Sequence, residues 1–218
     1  MLKAVIFDLD DTLYDYATIH QIAMEKLRAF TCEKYSIGED DFDKAFSKAK
    51  KQTKKLLKDT ASCHNRLLYC QKTLENLGQN PVCSALEMYD CYWNCMLENM
   101  KLRQGSIELL ERLKSDGIKI AICTDMTAHI QYRKILKLGL VPYIDVLVTS
   151  EEAGEEKPSQ KMYGLAFEKL LHLVPNLKLS ECLFTGDSHE KDVEAPLSFG
   201  MKSVLFMNMK DLEEKIYG

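Results

Sequence analysis

Five short apolar runs bracket a long stretch that has none, and this interruption limits the fold more than any other feature. The runs are Lys3 to Phe7, Ile118 to Cys123, Asp145 to Val148, Cys182 to Thr185 and Ser203 to Phe206. Each is continuous rather than alternating and rich in Val, Ile, Leu and Phe, the pattern of strands buried on both faces. Helical stretches lie between the later runs. One is Ser106 to Ser115, closed by Gly117, with Ser106 as its expected N-cap and Ile107, Leu110 and Leu113 along one side. Strand, helix and strand in repetition predict a doubly wound, Rossmann-like parallel α/β sheet with right-handed crossovers.

The interruption, from about Tyr16 to Met100, is helical in period. Phe42, Phe46, Ala49, Thr53 and Leu56 repeat at steps of four and three, as do Leu86, Tyr89, Trp93, Met96 and Met100. Ile19, Ala23, Leu27 and Phe30 form a similar stripe, and Leu67, Leu74 and Leu77 a weaker one. Four amphipathic helices of this kind are expected to pack as a bundle. The expected organisation is therefore a discontinuous core, 1–15 with 101–218, and an inserted helical domain, 16–100. The lysines at 48, 50, 51, 54, 55 and 58 read as the solvated face of the second helix, with phosphate attraction as the lesser alternative.

Bulk properties exclude several function classes. The 218 residues are 46% hydrophobic and 28% charged, ordinary for a globular protein, and the net charge of -4 offers no field for nucleic acid or an anionic membrane. No apolar run approaches the ~20 residues of a membrane span. The opening MLKAVIFDLDD turns acidic too early for a secretory leader, so a cytoplasmic protein is expected. Eight cysteines are then expected as free thiols, with Cys91 and Cys95 acting as small buried hydrophobes. Cys63, His64 and Cys70 match no zinc-ligand spacing.

In an open parallel sheet, ligands sit beyond the carboxyl ends of the strands, and polar residues gather at those ends here. The first strand leads into Asp8 and Asp10, two residues apart and so on one side of an extended chain. The second ends in Thr124-Asp125. Glu151-Glu152 and Lys157-Pro158 follow the third, and Gly186-Asp187-Ser188 with Asp192 follow the fourth. Acids, a hydroxyl and one lysine converging on one edge describe a site for Mg²⁺ and a phosphoryl group.

The order DLDDT, Thr124, Lys157-Pro158 and GDS-x-x-x-D resembles the haloacid dehalogenase superfamily, in particular its phosphatases with a helical cap after the first motif. TSEEAGEEKPSQKMY and GDSHEKDVEAPLSFGMKSV are similar to the same group. The likeness covers the core; over 16–100 only position and helical character agree. It implies that Asp8 is the nucleophile and that Asp10 is a general acid and base. Thr124, with Asp125 in the same loop, would bind the phosphoryl group, and Lys157 would offset its charge. Asp8, Asp187 and the backbone carbonyl of Asp10 would hold Mg²⁺, with Ser188 beside them and Asp192 supporting the metal's waters or holding Lys157. Asp11 serves the turn.

Two positions depart from the pattern: Asp125 stands where Asn is common, and Met126 where a small residue is common. An acid at position 10 followed by Thr12 favours phosphate esters over haloacids. The expected function is a Mg²⁺-dependent phosphomonoester hydrolase of a small metabolite, such as a sugar phosphate, phosphoglycolate or a nucleoside monophosphate. It would act as a monomer or homodimer. The alternatives are a sugar phosphomutase and, further off, an idle binding protein. Phosphomutases of this superfamily carry a histidine near the place of His20, which makes His20 the residue on which that alternative turns.

Overall fold

The computed structural model describes residues 2–218. In chain order its elements are β1 (Ala4–Phe7), α1 (Tyr16–Tyr35), α2 (Glu39–Leu57), α3 (Arg66–Asn76), α4 (Pro81–Asn99) and α5 (Ser106–Ser115). There follow β2 (Lys119–Thr124), α6 (Ala128–Lys137), β3 (Val146–Thr149), α7 (Ser150–Ala153), α8 (Gln160–Leu173), β4 (Cys182–Gly186), α9 (Ala195–Phe199), β5 (Lys202–Leu205) and α10 (Met209–Tyr217). The chain divides into two compact units, one holding the chain up to Asp15 together with Lys101–Gly218, the other Tyr16–Met100.

The first unit is built on one sheet of five strands in the order β3-β2-β1-β4-β5, all parallel. Each apolar run of the sequence becomes a strand, with ends shifted by a single residue. β1 lies at the centre, Ile6 opposite Ala121 on one side and Phe184 on the other. Its four residues are fully buried, which explains why they read as an unbroken apolar run. From β1 the chain winds out to β2 and β3, then crosses back to β4 and β5. The order therefore reverses between β1 and β4, and a crevice is expected beyond the carboxyl ends of those two strands.

α8 covers one face, packing Met162, Tyr163, Ala166 and Leu170 with Ala4, Ile6, Cys123, Val148 and Phe184. On α5 two expectations are corrected. The residue at the cap is Gly105, in a left-handed conformation at φ 83°, and Ser106 is the first helical residue. The buried stripe is Leu109, Leu110 and Leu113, with Ile107 only half-buried.

In the helical unit, α1 packs on α4 and α2 on α3, with α3 also against α4. The faces turned inward are Ile19, Ala23, Leu27 and Thr31 on α1, and Phe42, Ala45, Ala49 and Thr53 on α2. Leu56 and Leu86, expected in the stripes, are exposed. Ala49 and Thr53 face inward as expected, joined by Ala45, and Thr53 returns its hydroxyl to the Ala49 carbonyl at 2.9 Å. On α3 the inward residues are Tyr69, Cys70, Thr73 and Leu74 rather than Leu67 and Leu77. The lysine run of α2 is exposed throughout.

All eight cysteines are free thiols, although Cys91 is only half-buried. Burial pushes the Cys70 thiol up to about 12, far from a reactive thiolate. No helix among the described residues is long and apolar enough to cross a membrane.

His20 lies within α1, its Nδ1 2.7 Å from the Tyr92 hydroxyl and its ring stacked on Tyr16. The Arg66 guanidinium sits over the rings of Tyr69 and Tyr92 and donates to the His64 carbonyl at 2.7 Å. Burial, then the charges of Arg66 and Lys50, push the imidazole from its usual 6.5 down to about 4. Between those values the unfolded chain takes up a proton that the folded chain refuses, so stability falls as the pH is lowered through that window. Thermal midpoints measured across the same range should drop for the wild type, and His20→Gln should flatten the slope. An unchanged slope would mean that the imidazole is not shielded.

Candidate active site

The backbone N–H of Asp8 donates to the Thr185 carbonyl at 2.8 Å, carrying the β1–β4 ladder one residue beyond β1. This delivers the Asp8 side chain, 6% exposed, to the point where the strand order reverses. Lys157, on the segment between α7 and α8, places Nζ 2.7 Å from Asp8 Oδ1 and 2.7 Å from Asp192 Oδ1. Lys157 and Asp192 are as buried as Asp8, at 3% and 1%.

A buried charge without a partner costs several kcal/mol, so each of these groups depends on the others. Burial pushes the Asp8 carboxyl above the usual carboxylate range; Lys157 pulls it down, while Asp192 and Asp10 push it further up. For Lys157 burial acts the other way, but Asp8 and Asp192 outweigh it and hold the ammonium well above its ordinary value.

Asp192 is fixed from the turn after β4. Its Oδ2 accepts the Ser188 N–H at 3.0 Å, and its own N–H donates to the Ser188 carbonyl at 2.8 Å. The carboxylate lies so close to β4 that a Cβ on Gly186 would meet Asp192 Oδ2 at 2.3 Å. Only glycine fits there. Asp187, the next residue, is exposed, and one oxygen from each of Asp8, Asp187 and Asp192 lies within 4.8 Å of the others. Burial, with Asp192 and Asp11 beside it, raises the Asp187 carboxyl as well.

Three neighbouring carboxylates, two of them on one ammonium, make a set of hard oxygen donors short of positive charge, and Mg²⁺ fits that set. Asp192, expected to support the metal's waters or to hold Lys157, contacts Lys157 at 2.7 Å, and its carboxylate also groups with those of Asp8 and Asp187.

Asp10 is held differently. Lys134 of α6, fully buried, brings Nζ to 2.7 Å from both carboxylate oxygens, and the Tyr14 hydroxyl donates to Oδ1 at 2.5 Å. Thr12 donates to Asp8 Oδ2 at 3.4 Å. Arg103 clamps the intervening turn, donating from Nη2 to the Asp11 carbonyl at 2.9 Å and from Nε to that of Thr12 at 3.1 Å. Asp11 sits at φ 60°, a left-handed position that Asp tolerates better than most residues. That conformation suits the turn role expected for it.

At the end of β2, Thr124 is buried and its Oγ1 accepts from Gln131 Nε2 at 2.7 Å. Asp125 is committed within the loop, accepting the Lys157 N–H at 2.9 Å on Oδ1 and Lys191 Nζ at 2.9 Å on Oδ2. Met126 adopts φ 85°, and its N–H donates to Ser150 Oγ at 2.9 Å. That N–H therefore serves the loop's contact with α7.

Sequence reasoning missed Lys134, Gln131, Arg103 and Lys191. Two of them share the inward face of α6, which buries Ile130, Gln131, Lys134 and Ile135, a placement that only the fold reveals.

The family model of the haloacid dehalogenase-like hydrolases matches residues 2–200. The chain belongs to this family. Among curated relatives of the hydrolase is a ribulose-1,5-bisphosphate 5-phosphatase of Halopiger xanaduensis, 35% identical over 94% of this chain and 85% of that protein. A glyceraldehyde 3-phosphate phosphatase of Methanocaldococcus jannaschii is 28% identical over 100% and 91%. A HAD phosphatase from Thermococcus onnurineus shares the fold at a TM-score of 0.75 and 21% identity, over 100% of this chain and 99% of its own. So does the Bacillus subtilis HAD-hydrolase YfnB bound to magnesium, at 0.72 and 18%, over 99% and 98%.

Replacing Gly186 by alanine in the hydrolase should displace Asp192 and with it one partner of Lys157. Crowding of this kind costs about 1–3 kcal/mol, which a denaturant titration would read as a lower midpoint. A wild-type midpoint in Gly186→Ala would show that the turn after β4 yields freely.

Proposed function

We propose that the protein is a Mg²⁺-dependent phosphatase of small phosphorylated metabolites, working through a covalent phosphoryl group on Asp8. The observation that carries this reading is the buried Asp8–Lys157–Asp192 set at the switch point of the sheet. The phosphatases among its relatives support the substrate class, phosphorylated small carbohydrates in the first place.

In the proposed reaction the Asp8 carboxylate attacks phosphorus, the ester P–O bond breaks, and the leaving oxygen takes a proton from Asp10. Asp10 then removes a proton from water, which attacks the phosphoryl group and releases inorganic phosphate, restoring Asp8. Lys157 offsets charge on nucleophile and phosphoryl oxygens, and the Thr124 hydroxyl donates to one of those oxygens. Asp8, Asp187, the Asp10 carbonyl and Asp192, directly or through water, would hold Mg²⁺, which when bound neutralises part of the charge on phosphate and nucleophile. Lys134 and Tyr14 orient the Asp10 carboxyl.

The helical unit is proposed as the cap that selects substrates, and the eight free thiols support the reducing cytoplasm as its compartment. His20, on which the mutase alternative turned, is engaged with Tyr92 inside the helical unit.

A panel of phosphomonoesters assayed for phosphate release with Mg²⁺ tests the reading, and several should be hydrolysed. Asp8→Asn should abolish turnover while the protein stays folded, because no neighbour can supply both nucleophile and ligand. Excess chelator should silence the wild type, and Ca²⁺, with its larger and looser coordination shell, should not replace Mg²⁺. Conversion of a sugar 1-phosphate to its 6-phosphate with little phosphate released would instead favour the mutase. Appreciable activity in purified Asp8→Asn would remove the covalent mechanism.

A further inference from the structure

We infer that Gln131 is a positioning residue that sets the Thr124 hydroxyl as a hydrogen-bond donor to the phosphoryl group. The inference rests on the phosphatase reading above and adds a residue that the sequence motifs do not contain.

Gln131 is fully buried on α6. Its Nε2 donates to Thr124 Oγ1 at 2.7 Å and to the Asp125 carbonyl at 2.6 Å, which uses both amide hydrogens. Its Oε1, also buried, has no hydrogen-bond partner among the described residues. A buried acceptor left unsatisfied is costly, so what this side chain contributes here is its two donors. The amide orientation follows from the same contacts. Turned over, Oε1 would face the Asp125 carbonyl oxygen at that short distance, with no proton between the two acceptors.

The consequence falls on Thr124. With Gln131 donating to Oγ1, the hydroxyl hydrogen must point elsewhere. Its own contact with the Asp125 carbonyl is 3.4 Å, long for an O–H···O bond, and that carbonyl already takes a Gln131 hydrogen. The hydroxyl is therefore left free to donate, in a loop tied to the Lys157 backbone through Asp125. A threonine without this partner could turn its hydrogen onto the Asp125 carbonyl and present a lone pair to an anion instead. Donors oriented before the substrate arrives are worth more than donors that must reorient.

The test is a double-mutant cycle on an ester that the wild type hydrolyses, with kcat/KM measured for Gln131→Met, Thr124→Val and the pair, all checked for folding by thermal melting. Gln131→Met keeps the length and removes the donors, so kcat/KM should fall about tenfold, the scale of one oriented hydrogen bond. Thr124→Val should fall further, and the pair should be no worse than Thr124→Val alone, because Gln131 acts through that hydroxyl. Gln131→Glu, which would accept the Thr124 hydrogen, should be more damaging than Gln131→Met and should weaken calorimetric binding of inorganic phosphate. Losses that multiply in the pair, or a Gln131→Glu that binds phosphate as the wild type does, would overturn the inference. Absence of phosphate release by the wild type would instead overturn the phosphatase reading.

Discussion

Everything at the switch point of the sheet depends on one ammonium shared by two carboxylates. Lys157 Nζ is 2.7 Å from both Asp8 and Asp192, and all three side chains are nearly sealed from water. Removing Lys157 would leave two buried carboxylates facing each other uncompensated, whereas removing either carboxylate leaves the lysine one partner. The requirement reaches back into the backbone. Gly186 must lack a Cβ because Asp192 occupies that space, and Asp125, just after β2, accepts the Lys157 N–H and so ties the segment between α7 and α8 to that strand. Asp8, for its part, extends the β1–β4 ladder by one bond. Three strands and the turn after β4 are thus tied to one cation.

The sheet was legible because its strands are buried on both faces, and such strands must be written as short unbroken apolar runs. The acids at their ends were legible for the complementary reason. A carboxylate directly behind a buried strand is expensive, so Asp8 and Asp187 stand out against a continuous apolar run. What escaped was anything whose partner lies on a distant helix. Lys134 and Gln131 sit in α6, in a stretch that reads as an ordinary amphipathic helix with a polar face. Their destinations, Asp10 and Thr124, are set by the crossover from β2 to β3, which local pattern does not encode.

The helical unit was legible in outline and not in detail. Its periodicity predicted four helices and placed Phe42, Ala49 and Thr53 inward, but it also counted Leu56 in the stripe and left out Ala45. Where two helices come close, the interface selects small residues and sends Leu56 outward, so hydrophobicity alone misplaces the stripe. Ser106 failed for a similar reason. A hydroxyl is a common cap, but the left-handed turn before α5 requires glycine at the capping position and moves serine into the helix.

Charge arithmetic around the site connects these parts. Asp8, Asp10, Asp125, Asp187 and Asp192 bring five formal negative charges, and Lys134, Lys157 and Lys191 bring three positive ones. The remainder, five less three, is two negative charges gathered where a phosphate dianion is proposed to bind, and an anion does not enter such a field unaided. One divalent cation among Asp8, Asp187 and Asp192 would balance it. The same cation would favour the ionised form of Asp8, which burial otherwise resists. Admission of the substrate and ionisation of the nucleophile then have a common cause, and the clustering of acids beyond β1 and β4 follows from that shared requirement.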